Sequence, residues 1–195
     1  MLQRCLVTLL LVAAAATSAC SRRVAWEEEV ALRTGEHIWV RRTAEYTLQG
    51  QAGNPFAVAW APARIQSLEF NVRQKRFRYT GDARVMLLAL DPNGLPVLVA
   101  RADDNQWGWQ HGYRCTVPYY VQLVPDLSGT NWTWPNSPGA WLYGMPANLM
   151  VSPPPLGKAK ARYTAAESLS IIESLDFRNA SLKHVDAGHS ADLCP

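Results

Sequence analysis

The chemistry this sequence offers lies first in its aromatic side chains. The chain holds 8 Trp, 7 Tyr and 4 Phe, and nine of these residues fall between Trp107 and Tyr143. Within strands, Trp107-x-Trp109 and Trp132-x-Trp134 each place two indoles on one face. Such a face can stack on sugar rings or receive an apolar anchor, because indole is a large flat surface with a polar N–H. It can equally fill the space where two sheets meet. The polar residues that would orient a glycan stand nearby, with Asp103 to Gln106 before the first pair and Asn131 and Asn136 around the second. Outward-facing rings would mark a binding surface, and inward-facing rings a core.

Other chemistry is sparse. His184-x-Asp186-x-x-His189 brings ligand types close together but lacks the HExxH spacing that sets two imidazoles on one helix face, so no metal is expected. His111 lies four residues before Cys115, the pairing a thiol nucleophile and its base would need. A structural role for that cysteine fits better once its partner is considered, as argued below. There is no Gly-x-Ser-x-Gly elbow, phosphate-cradling loop or dinucleotide fingerprint, and no cofactor is expected. Glu45, Glu69, Asp82 and Asp103 are scattered over strand ends and loops, so no catalytic residue is assigned. Arg73, Lys75, Arg76 and Arg78 surround one hairpin tip, where charge keeps an edge from pairing or meets anionic lipid or cell-wall polymer.

The elements that must position these groups are mostly strands. With 195 residues, 48% hydrophobic and 18% charged, the chain suits one packed domain and not a disordered one. Its net charge of +3 gives no case for a nucleic-acid partner. Residues 37–48 alternate Ile38 and Val40 with His37, Trp39 and Arg41, a strand period. Gly50 to Pro62 reads as a loop with room for a short turn of structure at Phe56 to Trp60. Leu68, Phe70 and Val72 share one face, as do Phe77 and Tyr79, and the polar tip between them makes a hairpin. Arg84 to Leu90 and Leu95 to Ala100, joined by Asp91-Pro92-Asn93-Gly94, form a second hairpin, apolar on both faces and therefore central. Trp107 to Cys115, Val117 to Val124 and Thr130 to Trp134 are further strands, and 140–150 is irregular.

One helix is signalled, over about 164–177. Thr164-x-x-Glu167 matches a capping box, with Leu169, Ile172 and Leu175 at helical spacing behind it. The residues beyond Phe177 are polar and predict a loosely held tail unless Cys194 pins it. The pattern predicts a mainly β fold: an antiparallel sandwich or barrel-like domain with one C-terminal helix.

The N-terminus carries the one family resemblance. Arg4 precedes an uncharged run from Cys5 to Ala16, and Thr17-Ser18-Ala19-Cys20 follows. This resembles the lipobox of bacterial lipoproteins, in which the cysteine receives a diacylglycerol and becomes the mature N-terminus. The family favours Leu where this chain has Thr17, and ordinary secretory cleavage at the same place is the other reading. The resemblance, which covers only the first twenty or so residues, implies a signal peptide over 1–19, lipidation of Cys20 and a lipid-anchored tether over 20–35; the strand pattern makes 36–195 a single β-rich domain. Ser21 after the cysteine, where Asp would retain the protein inside, implies the outer membrane, facing the periplasm. If Cys5 leaves with the signal and Cys20 is acylated, Cys115 and Cys194 remain to pair in an oxidising compartment. Otherwise they are two unpaired thiols.

These readings define the expected function. It is a lipid-anchored periplasmic binding or scaffolding protein without catalysis of its own, whose partners are the membrane and either cell-wall glycan or another envelope protein. A carbohydrate- or peptidoglycan-binding module built on Trp107, Trp109, Trp132 and Trp134 is the second reading. A cell-wall hydrolase with an unrecognised site is the third.

Overall fold

The computed structural model describes residues 21–51, 54–101, 120–134, 138–176 and 181–186. Four successive antiparallel strands form the first sheet: β1 (Ser21–Ala31), β2 (His37–Gln51), β3 (Asn54–Val72) and β4 (Lys75–Gly81). β5 (Arg84–Leu90), β6 (Pro96–Arg101), β7 (Tyr120–Pro125) and β8 (Trp132–Thr133) form the second, in that order. A late two-residue strand, β9 (Arg162–Tyr163), joins β1 in parallel, so the first sheet runs β4-β3-β2-β1-β9. The helix α1 (Ala165–Glu173) follows at once. The fold is mainly β, with two antiparallel-rich sheets and one C-terminal helix among the described residues, as the sequence predicts.

Alternation decides which side chains meet between the sheets. Val30, Ile38, Val40, Leu68, Phe70, Val72, Phe77 and Tyr79 point inward from the first sheet. They meet Val85, Leu88, Leu98, Ala100, Val121 and Leu123 of the second. The Phe70 and Phe77 rings, opposite each other in register, stack 5.7 Å apart. The other face of the second sheet is covered as well. Met86, Ala89, Val97, Val99 and Tyr120 there pack under Leu142, Ala147, Val151, Ile172, Leu182 and Val185. Burial on both faces explains the unbroken apolar runs of β5 and β6.

β5 is nevertheless an edge strand, and Asn148 closes that edge. Its Oδ1 accepts from Leu88 N at 2.9 Å, and its Nδ2 donates to Leu88 O at 2.9 Å and to Ala31 O at 3.2 Å. One side-chain amide thus stands in for a neighbouring strand and also ties β5 to the end of β1. The opposite corner is closed by the β7–β8 turn. Arg78 N donates to Gly129 O at 2.8 Å, and Trp132 Nε1 donates to Arg78 O at 2.8 Å.

Several expectations need correction. The tether expected over 20–35 is, from Ser21 on, an eleven-residue strand paired with β2 along its length. Its alternation, Val24, Trp26, Glu28 and Val30, is masked in the sequence by a buried Glu. The loop expected from Gly50 to Pro62 belongs to the β2–β3 ribbon, with Gly50 opposite Val58 and Tyr46 opposite Pro62. The strand expected over Thr130 to Trp134 shrinks to β8. The segment 140–150 is irregular as expected, opening with a 3-10 turn at Ala140–Leu142, and it buries Leu142, Ala147, Leu149 and Met150.

In the helix the capping box is formed, Thr164 accepting from Glu167 N and Glu167 from Thr164 N. Leu169 faces outward, however, and Ser168 takes the buried place beside Ile172. The Glu29 carboxylate of β1 accepts from Ala165 N at 3.1 Å, which holds its carboxyl below the usual range and docks the helix N-terminus on the sheet. Residues 181–186, expected as loose tail, are pinned: Gly144 N donates to Val185 O at 2.7 Å and Val185 N to Met145 O at 2.9 Å. Tyr120 Oη adds a bond to Ser181 O at 2.8 Å.

Candidate functional site

Cys20, Cys115, Cys194, Trp107, Trp109, His111, His189 and Asp103 lie outside the described residues. The second Trp pair does not. Trp132 and Trp134 are half-buried, on one side of their segment, and both pack against the inter-sheet core. The Trp132 ring meets Tyr79 edge-on with centroids 6.1 Å apart and Phe70 at 6.4 Å. Its N–H is engaged on Arg78 O, so this indole closes the sandwich corner. A cleft of about 350 Å³ runs beside the pair, lined also by Asp82, Thr80 and Asn131. The Asn131 amide is committed to Asp126 at 2.9 Å. Burial pushes the Tyr79 hydroxyl up to about 12, and that hydroxyl accepts from Ala83 N at 3.3 Å.

The remaining candidates scatter. Glu69 pairs with Arg76 at 2.6 Å, and Glu45 is exposed on the outer face of β2. His37 lies 3.3 Å from Glu29, and the His184 backbone is in a bridge with Pro146. The basic tip of the β3–β4 hairpin serves as a clamp. Lys75 Nζ donates to Leu127 O at 2.6 Å, and the Arg73 guanidinium lies over the β5–β6 turn, Nη1 reaching Asn93 O at 3.5 Å. Gly94, with φ +79°, leaves the room that guanidinium occupies.

Around that clamp lies a groove missed by sequence reasoning. The β1–β2, β3–β4 and β5–β6 turns all reach one end of the sandwich. Beside them two adjoining cavities, of about 400 and 420 Å³, share the walls Leu32, Arg33, Trp141 and Met145. Arg73 and Asp91 line the first, and Tyr143 and Asn148 the second. Arg33 and Arg73 are exposed at the mouth, while Trp141 is half-buried. Asp91 is a turn residue, its Oδ1 accepting from Asn93 N at 2.9 Å and Leu95 N at 2.7 Å. The groove therefore offers two cations and one indole wall beside a carboxylate held by backbone N–H groups. Trp141 was visible in the aromatic run, but Arg33 and Arg73 meet it only through the turn ends.

A second cluster that the sequence did not signal is fully enclosed. Glu28 and Arg42 are each 0% exposed, on neighbouring strands of the first sheet. Arg42 Nη1 donates to Glu28 Oε1 at 3.1 Å and to Met150 O, and Nη2 donates to Gln66 Oε1 at 2.6 Å. Glu28 also accepts from Trp26 Nε1 at 2.6 Å and from Met150 N at 2.8 Å. The guanidinium lies 5.3 Å from the Trp26 ring centre, and Arg42 Nε has no partner. With both ions sealed from solvent, the cluster fixes the Met150 segment onto the sheet and offers nothing to a ligand. Charged residues at inward register positions, Glu28 between Trp26 and Val30 and Arg42 between Val40 and Ala44, are the signal that would have found it.

No group of metal-ligating side chains gathers among the described residues. No family model, curated protein or solved structure matches the chain.

Proposed function

We propose that this chain is a lipid-anchored bacterial envelope protein that binds a carboxylate-bearing glycan of the cell wall. Cys20 is the lipidated residue, the outer membrane is its site, and Cys115 and Cys194 form a disulfide. The observation that carries the binding role is the groove at the turn end, where Arg33 and Arg73 flank Trp141. Indole supplies area for the apolar face of a sugar ring, and guanidinium supplies the forked donors a carboxylate accepts. Binding is what these groups provide. Trp141 replaces the Trp132 and Trp134 pair as the platform, because Trp132 is spent on the corner.

The direction of β1 supports the same reading. Cys20 precedes Ser21 at one end of the strand, and the groove begins at Leu32 at the other. Eleven residues of strand separate these ends by about 33 Å, so a chain anchored at Cys20 presents the groove away from its membrane.

Retention on purified peptidoglycan sacculi is the test. The wild type is retained, and retention falls as salt rises. Arg33→Glu combined with Arg73→Glu abolishes it while the circular dichroism spectrum stays unchanged, and Trp141→Ala weakens it. A wild type that is not retained, or a folded charge-reversed variant that still binds, refutes the glycan reading. Mass spectrometry of the N-terminal peptide decides acylation of Cys20 separately, and a mobility shift on reduction decides the disulfide.

A further inference from the structure

Among the described residues β2 and β3 outrun β1. The first residue of β1, Ser21, pairs with Thr47, which in turn pairs with Ala61. Among the described residues only β2 and β3 continue beyond that rung, through Leu48 opposite Trp60 and Gly50 opposite Val58 to Gln51 opposite Asn54. At strand spacing this two-stranded arm passes Ser21 by about 13 Å. From Thr47 to Ala63 the sequence contains no Asp, Glu, Lys or Arg. Leu48, Trp60 and Val58 continue the inward row of Tyr46 past the point where the 150–156 segment covers it. Trp60 still packs against a third buried cluster, formed by Trp26, Ala44, Tyr46, Met150 and Tyr163. Further out, Leu48 is 40% and Val58 61% exposed. Arg22 and Arg23 are exposed at the start of β1, the Arg22 guanidinium 4.7 Å from the Trp60 ring centre.

We propose that this arm is a membrane contact, seated in the headgroup region of the same bilayer that takes up the lipid on Cys20. The inference rests on the anchor reading of the previous section. Cys20 is one peptide from Ser21, so its Cα lies about 3.8 Å from that of Ser21 in any conformation. Acyl chains on Cys20 bring the Ser21 end of β1 to the bilayer surface, and the arm reaches some three times farther than that single link. The bilayer therefore meets the arm as soon as it takes the acyl chains. The composition suits that position: apolar side chains enter the boundary, Trp sits at the interface, and two Arg side chains meet anionic headgroups. A partner protein on the same face is the competing occupant.

The test uses the full chain, processed in bacterial cells, purified in detergent and reconstituted into vesicles of phosphatidylethanolamine and phosphatidylglycerol. An environment-sensitive fluorescent amino acid is placed at position 58, or at position 127 as control. Leu127 is 95% exposed in the β7–β8 turn, at the far end of the strands. The expected result is a blue-shifted emission at position 58, quenched several-fold more by brominated acyl chains than at position 127. Equal quenching at the two positions overturns the proposal. So does an emission at position 58 that is shielded from aqueous quencher but untouched by brominated lipid, which assigns the face to a protein. The mass of the N-terminal peptide separates the two readings. An acylated Cys20 with no quenching at position 58 refutes the arm alone, whereas an unmodified Cys20 refutes the anchor and the arm with it.

Discussion

Replacing Glu28 by Gln tests how far the enclosed ion pair holds this fold together. The substitution preserves shape and removes charge. All three groups facing the carboxylate are donors: Trp26 Nε1 and Arg42 Nη1 on one oxygen, Met150 N on the other. Glutamine has one oxygen and one NH2 group, so one of the two sites must oppose donor to donor. If the amide oxygen keeps Trp26 and Arg42, the Met150 N–H loses a charge-assisted bond, a term of about 1.5–3 kcal/mol. Arg42 meanwhile stays buried without its counter-ion, and breaking a buried pair from one side costs about 3–5 kcal/mol in all. Since whole domains are stable by roughly 5–15 kcal/mol, the expected loss is a large fraction of the total. Urea unfolding followed by tryptophan fluorescence should move to lower midpoint at unchanged slope, and the melting temperature should fall by roughly 6–20 °C. Glu45→Gln, an exposed site on the opposite face of β2, is the control and should change stability by less than about 0.5 kcal/mol. A Glu28→Gln variant within about 1 kcal/mol of the wild type would refute the reasoning.

Three further outcomes are expected. Asn148→Asp keeps the acceptor for Leu88 N but sets a carboxylate against the carbonyls of Leu88 and Ala31, and should cost about 2 kcal/mol or more, with faster amide exchange at Leu88. Gly129→Ala puts a Cβ 2.8 Å from Arg76 O at a φ of +79°, so it should lose more than about 1 kcal/mol in the same urea assay and loosen the β4 corner. The Glu167 carboxyl is held at about 2, chiefly by Lys160 and then by the Thr164 N–H. A lowered acid contributes stability above its unfolded value, near 4.5, and loses it as pH falls through the folded value. Protection of the first-turn amides of α1 should therefore fade between about pH 4.5 and 2. An NMR titration midpoint of Glu167 near 4.5 would contradict that account.

The sequence carried the layer architecture well where alternation was clean. Ile38 and Val40, Leu68 to Val72 and Phe77 to Tyr79 declared their strands because the inward positions within those short stretches are apolar. β1 was illegible for the opposite reason: Glu28 occupies an inward position, and its apolar neighbours Trp26 and Val30 are too few to overrule a run of three glutamates. The arm of β2 and β3 was hidden by Gly50, Gly53, Pro55 and Pro62, residues that punctuate loops and that here sit in a ribbon whose register shifts between Ala44 and Tyr46. The helix was legible in full detail at its N-terminus, where the cap is local chemistry. Its buried face was not, because the 181–186 segment and the second sheet decide which side turns inward. The groove fared worst. Arg33, Arg73 and Trp141 belong to three separate segments, and no local rule joins the tips of hairpins that only the sandwich brings together.

Parallel pairing of β9 with β1 bears on the order in which the chain can fold. β1 comes first in the described chain, yet the partners on its two edges arrive at very different times: β2 immediately, and Ala161 to Ala165 only after more than 130 residues, through Glu27 to Arg162 and Glu29 to Ala165. The Glu28 carboxylate likewise waits for Met150 N, 122 residues away. Until that segment is present, burying Glu28 leaves an ion short of a donor, and water holds it better than the half-built sheet does. The first strand is thus kept provisional until most of the chain has emerged. Contacts of such long sequence separation slow folding, so the strand that comes first among the described residues is locked in place late.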